Sequence, residues 1–165
     1  MKRVAAFVAA LTLALPIAAS AQEDGTIQLT FYRPHAPTAR SSQARSLLTL
    51  VNAVRAQHGL PALVADPALD RFAADKAEHM ATRHYFGHTD PNGVTFESRL
   101  KDSGLKFRYA AENIAFDQDE RHANAAFVGS PGHFANMVDP NHRKIGIAVV
   151  EAGAGESFFV EEFSD

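Results

Sequence analysis

Apolar residues recur every three or four positions through much of the chain beyond residue 40, which is the spacing of helices that bury one face. The first such pattern begins near Ser41, a residue type that caps helices, and it ends at Gly59. The second begins at Asp66 and Pro67, an order typical of a helix start. The sequence predicts helices over about residues 41–58, 67–84, 95–103 and 133–138, and a weaker one over 119–128.

The C-terminal part of the chain is instead rich in branched and aromatic residues, which favour strands. Residues 145–150 and 157–163 form two such runs, and Gly153 and Gly155 lie between them. This order predicts an antiparallel hairpin. Helices followed by a hairpin indicate an α+β domain in which the helices pack around a small antiparallel sheet.

The first 21 residues have the order of a cleavable signal peptide. Lys2 and Arg3 precede an apolar run, and Ala-Ser-Ala precedes the expected cut after Ala21. The apolar run is shorter than the roughly 20 residues that span a bilayer, and no later apolar run is longer. We therefore expect a secreted or periplasmic protein without a transmembrane anchor once the signal peptide has been removed.

Composition narrows the classes of protein to which the chain can belong. It has 165 residues and no cysteine, which excludes disulfides, a thiol nucleophile and thiolate metal sites. The 16 basic and 19 acidic residues give a net charge of −3, which argues against a broad nucleic-acid-binding surface.

After the signal peptide, residues 22–40 are interpreted as a tether or edge segment and residues 41–165 as one domain.

Two of the eight histidines, together with one glutamate, stand out as candidates for chemistry. His88 and His133 each lie in a glycine-containing segment at the end of a predicted helix, where scaffolds usually present reactive groups. Glu112 interrupts an apolar run over 107–115, where a carboxylate must face solvent or find a partner. The other histidines are assigned to the tether (His35), a helix C-terminus (His58), a helix without zinc-protease spacing (His79, His84) and solvated polar stretches (His122, His142).

Four motifs occur in an order and spacing that resemble the CAP superfamily. They are residues 48–63, Tyr85–Gly93, Glu112–Ile114 and Ser130–Met137. The family comprises cysteine-rich secretory proteins, antigen 5 and plant pathogenesis-related proteins, and the chain resembles its bacterial form with an SCP-like extracellular domain. The resemblance covers about Ser46 to Phe163 and implies an α-β-α sandwich.

The resemblance also implies a central cleft lined by two histidines and up to two glutamates. Carried over by motif, these residues are His88, His133 and Glu112, and in several family members the histidines hold a divalent metal. The second glutamate of eukaryotic members follows a helical tryptophan by three residues. The same step from Phe127 reaches Ser130, so we do not expect the full set of four residues.

Two interpretations of these three residues stay open at this point. They can hold zinc through both imidazoles while Glu112 orients one ring, or they can form a hydrogen-bonded network without a metal. The corresponding functions are a non-catalytic module that binds a lipid, a cell-envelope component or a protein, and a metal-assisted hydrolase with Glu112 as general base. Asn113 and Asn136 are expected to hold loops through their amides.

Overall fold

The computed structural model describes residues 41–165. The predicted signal peptide, its cut after Ala21 and the tether over residues 22–40 lie outside the described residues. Within residues 41–165, no helix combines the length and the apolar character that crossing a membrane requires.

Helices and strands alternate irregularly through the described residues. In chain order they are α1 Ser42–Gln57, β1 Val64–Ala65, α2 Pro67–Arg83, α3 Phe96–Asp102, β2 Ala110–Asp117, α4 Glu120–Gly129, α5 Pro131–Met137, β3 Lys144–Gly153 and β4 Glu156–Ser164. Every predicted helix is present, as is the C-terminal hairpin. The apolar run to which the sequence assigned no element forms β2.

Polar side chains fix where the main helices begin. The hydroxyl of Ser41 accepts from the backbone N–H of Ala44, which satisfies one of the free donors at the start of α1. Asp66 does the same for α2, where Pro67 occupies the first helical position. Asp119 caps α4 in the same way. These caps are local features, which explains why the sequence placed the helix starts correctly.

The four strands form one sheet in the order β1-β3-β4-β2. Antiparallel pairing joins β3 to β4 and β4 to β2, with Glu112 opposite Glu162. The hairpin turn depends on Gly153 and Gly155, which have φ values of 95° and 81° that other residues rarely adopt. The two-residue strand β1 pairs in parallel with β3, so the sheet is mixed rather than purely antiparallel.

Helices cover both faces of the sheet. One core cluster joins α1, α4 and α5 to alternate strand residues such as Ile147 and Phe159, and a second joins α2 to Val160 and its neighbours on the opposite face. Close packing of α2 on β3 requires Gly146, since a Cβ atom there would lie 2.0 Å from the carbonyl carbon of Leu69. The three layers confirm the predicted α+β class and the α-β-α sandwich.

Candidate functional site

The fold brings the three predicted site residues together at the edge strand of the sheet. His88 lies in the loop after α2, Glu112 lies on β2, and His133 lies in α5 in the opposite helical layer. The ring centroids of His88 and His133 are 6.0 Å apart, and Nδ1 of His88 lies 2.8 Å from a carboxylate oxygen of Glu112. Residues that are distant in sequence and come from both helical layers therefore meet in one place.

Both carboxylate oxygens of Glu112 have polar partners, and these explain why an acid is tolerated in an otherwise apolar strand. Oε1 contacts His88, and Oε2 accepts from Arg99 at 2.7 Å. The side chain is only 1% exposed. Burial alone would raise the pKa of Glu112, but the hydrogen bond from His88 and the charge of Arg99 hold that pKa below its usual value. Glu112 is therefore an ionised carboxylate in fixed contacts.

Arg99 of α3 is a site residue that the sequence did not reveal. Its guanidinium also donates to Glu162 at 3.2 Å and lies over the ring of Phe72, with its carbon 4.5 Å from the centroid. Burial and the charge of Glu112 raise the pKa of Glu162 well above its usual value, so its neutral form is favoured. One arginine thus bridges two facing acids that differ in charge state.

The second acid near the site comes from β4 and not from the helix where the family pattern would place it. Position 130 is a serine that ends α4 and precedes α5, and its side chain makes no capping hydrogen bond. Glu162 instead approaches the site from the strand next to β2. The sequence offered one sign of this arrangement, because Glu161 and Glu162 interrupt an apolar strand as Glu112 does.

His133 is held so that its ring favours the neutral form. Partial burial lowers the pKa of His133, and the neighbouring His88 lowers it further. The ring packs edge-on against Phe127 with centroids 5.4 Å apart. Its backbone carbonyl accepts from the amide of Asn113 at 3.1 Å, and Asn136 donates to the oxygen of that amide at 2.9 Å. Asn113 thus bonds to the backbone as predicted, whereas Asn136 bonds to the side chain of Asn113.

Glu161, the neighbour of Glu162 on β4, is also buried, and it faces the opposite side of the sheet. One oxygen accepts from Asn113 at 3.0 Å, while the other has no hydrogen-bond partner among the described residues. Burial raises the pKa of Glu161 to about 8, and the hydrogen bond from Asn113 opposes this only in part. The same asparagine therefore connects Glu161 to the backbone of His133.

His142 is not solvated, and that prediction is wrong. The residue is 2% exposed, and its ring stacks on Phe163 with centroids 5.4 Å apart. Its Nδ1 lies 3.0 Å from the carbonyl of Asn136, and its own carbonyl accepts from the buried guanidinium of Arg55. A polar stretch of sequence is normally predicted to be exposed. The loop that carries His142 instead folds onto the core, because Arg55 binds its carbonyl groups.

The other described histidines lie outside the site. His58 has its Nδ1 2.9 Å from the carbonyl of Val54 at the end of α1, in agreement with its predicted capping position. His122 is 55% exposed and contacts the side chain of Asp119, as expected for a solvated residue. Across residues 41–165, no group of three or more histidine, aspartate or glutamate side chains is arranged to hold a metal ion.

Comparison with known proteins identifies the family. Residues 48–163 match the model of the CAP family, described as the cysteine-rich secretory protein family, and the chain belongs to it. The uncharacterized protein YkwD of Bacillus subtilis (strain 168) is 32% identical over 130 residues, which are 78% of this chain and 51% of that protein. The chain thus spans about half the length of this curated relative.

Solved structures agree with this assignment. An extracellular protein containing an SCP domain from Bacillus anthracis is 27% identical and superposes with a TM-score of 0.67, over 74% of this chain and 40% of that one. An outer surface protein of Borrelia burgdorferi shares the fold, with a TM-score of 0.70 and 20% identity over 78% and 96% of the two chains.

Proposed function

We propose that the protein is a secreted or periplasmic binding module that holds one divalent metal ion, such as zinc, between His88 and His133. The hydrogen bond between His88 and Glu112 carries this proposal. In the neutral imidazole, a proton shared between Nδ1 and a carboxylate leaves the Nε2 lone pair free for a metal. A carboxylate that orients a histidine in this way is a common partner of metal-bound imidazoles.

The positions of the two rings support the fit. Imidazoles whose nitrogens each lie about 2.0–2.1 Å from one zinc ion have centroids at most roughly 6.5 Å apart. The 6.0 Å separation of His88 and His133 falls within that limit, and the tetrahedral angle of zinc, which puts the centroids roughly 5.2 Å apart, would require the rings to approach by less than about 1 Å. Two protein ligands are fewer than the three usual at a catalytic zinc site. We therefore expect modest affinity, with the bound ion supplying a Lewis-acidic attachment point for an oxygen or nitrogen of the ligand.

The contacts of Glu112 favour binding over hydrolysis. A general base must accept a proton from water, and the ideal pKa for this lies near the working pH. Contacts with His88 and Arg99 occupy Glu112, and its pKa is lowered, so it is a weak base. We assign it the orienting role. Zinc-dependent hydrolysis of a peptide or ester library that Glu112→Gln abolishes would contradict this assignment.

The family and the N-terminal sequence support the proposed location. The relative from Bacillus anthracis is an extracellular protein, and residues 1–21 have the order of a signal peptide. We propose a lipid, a cell-envelope component or another protein as the partner. Nucleic acid is disfavoured by the net charge of −3.

A thermal-shift measurement on the chain from Gln22 onward tests the metal site. Zinc at 100 times its Kd should stabilise the wild type by about 2.7 kcal/mol, and it should not raise the Tm of His88→Ala or His133→Ala. His122→Ala is the matched control and should keep the full shift, because that histidine is exposed and lies outside the site.

The shift should also fade below about pH 6, where protons compete with the metal for the imidazoles. Equal zinc-induced shifts in the wild type and in both site variants would refute the metal site, as would no shift in the wild type at saturating zinc.

A further inference from the structure

Helix α2 carries a lysine at a position where its spacing calls for an apolar residue. Lys76 is only 1% exposed. It lies on the buried face of the helix, together with Leu69, Phe72, Ala73, Ala77 and Met80. A buried ammonium group costs free energy that an apolar side chain of similar size does not. Its presence here calls for a role beyond filling the core.

The ammonium group of Lys76 is fastened to the loop that carries His88. Its Nζ atom donates to the carbonyl of Gly87 at 2.6 Å and to the carbonyl of His88 at 3.3 Å. A third contact, at 3.3 Å, reaches the hydroxyl of Tyr85. Three acceptors match the three N–H groups of a charged ammonium, whereas a neutral amine has only two. The contacts therefore match the charged form, in which each N–H group has an acceptor.

Tyr85 extends this arrangement to a second histidine. Its hydroxyl lies 2.8 Å from Nδ1 of His79 and, having accepted from Lys76, it can donate its proton there. Nδ1 of His79 must then carry no proton, and burial lowers the pKa of His79 in agreement with this requirement. The loop over residues 85–88 is thus attached to α2 through one phenol and two main-chain carbonyls.

We infer that Lys76 is a positioning residue, which fixes the main chain of residues 85–88 and so holds the ring of His88 against Glu112 and opposite His133. The inference rests on the proposed function for its consequence, which is metal affinity. Its structural part, the placement of His88, can be measured without any metal. Without the ammonium group, the carbonyls of Gly87 and His88 lose their donors and the partly exposed loop is free to turn toward solvent.

The test compares Lys76→Met with the wild type by NMR of histidine ring protons in the absence of metal. Methionine matches the unbranched lysine side chain up to Cε and removes the ammonium group, so the core should stay folded. The ring Nδ1 proton of His88, shared with Glu112, should be observed in the wild type and lost in Lys76→Met. Lys144→Met is the matched control, because it removes an exposed ammonium that donates to the carbonyl of Asp165.

The affinity for zinc should fall about 10- to 100-fold in Lys76→Met and stay unchanged in Lys144→Met. An unchanged His88 signal in a folded Lys76→Met protein would overturn the inference. If the wild type bound no zinc, the metal site would fail, yet the NMR comparison would still decide the role of Lys76. Lys76→Gln provides a second variant if Lys76→Met does not fold. Loss of the fold in both would assign Lys76 to the core and overturn the inference.

Discussion

Two neighbouring glutamates of β4 are buried on opposite faces of the sheet, and they differ in their partners. Glu162 shares Arg99 with Glu112, whereas Glu161 has only the amide of Asn113. No cation is paired with Glu161 in the contacts of the described residues, so burial dominates and raises its pKa to about 8. The folded protein therefore keeps a proton on Glu161 that the unfolded chain has already lost near pH 4.5.

This difference predicts how the stability depends on pH. The contribution of Glu161 to the free energy of unfolding is complete below about pH 4.5 and is lost as the pH rises to about 8. The reason is that the unfolded state binds fewer protons than the folded state in this range. Glu161→Gln mimics the neutral acid and should remove this loss. At pH 9 the variant should exceed the wild type by about 3–5 kcal/mol in the free energy of unfolding measured with urea.

The comparison with pH 5 provides the control for this prediction, since the wild type and the variant should there be nearly equal in stability. Parallel stability curves for the two proteins between pH 5 and pH 9 would show that Glu161 is not protonated in the folded state.

Site residues with an unusual local pattern were predictable from the sequence, whereas those that depend on distant partners were not. His88, His133 and Glu112 were identifiable from glycine-containing segments, an interrupted apolar run and the family motifs. Arg99 was not, because a single arginine in a short predicted helix normally faces solvent and nothing local shows that it will meet two acids. The burial of His142 likewise depends on Arg55, which is distant in sequence.

At the scale of elements, the contact between α2 and β3 depends on one glycine. Gly146→Ala would place a Cβ atom 2.0 Å from the carbonyl carbon of Leu69. This overlap can be relieved only if α2 or β3 moves. We expect a destabilisation at or above the about 1–3 kcal/mol typical of overpacked cores. Chemical denaturation of the purified variant measures this change.

Gly129→Ala is the matched control for this contact. Gly129 lies at the end of α4, and a Cβ atom there would have no neighbour within 4 Å. Alanine should be neutral or slightly stabilising at that position, because it costs less chain entropy than glycine. Similar losses of stability in the two variants would contradict the proposed role of the α2–β3 contact.

The elements that the sequence predicted are those with local signals. Caps such as Asp66 indicate where a helix begins, and turn residues such as Gly153 indicate where a hairpin turns, so the helices and the hairpin could be predicted from them. The strand β2 was not assigned, because Glu112 and Asn113 break its apolar pattern. The strand β1 has two residues and pairs in parallel with a strand far along the chain, so no local pattern could predict it.

At the scale of the whole molecule, the sandwich explains how the site is assembled. Its two histidines come from opposite helical layers, and the acid that contacts His88 comes from the edge strand β2. Supporting residues extend the site into each layer, with Lys76 and Arg99 on one side and Asn113 with Asn136 on the other. The fold therefore sets the distance between the two rings, and a bound ion would join the layers.

The most direct test of the central claim is a crystal structure of the protein grown with excess zinc, with anomalous diffraction recorded at the zinc absorption edge. We expect one anomalous peak at the site, about 2.0–2.1 Å from a ring nitrogen of His88 and of His133, with Glu112 still in contact with Nδ1 of His88. A site without a peak, or a peak bound by only one of the two rings, would contradict it.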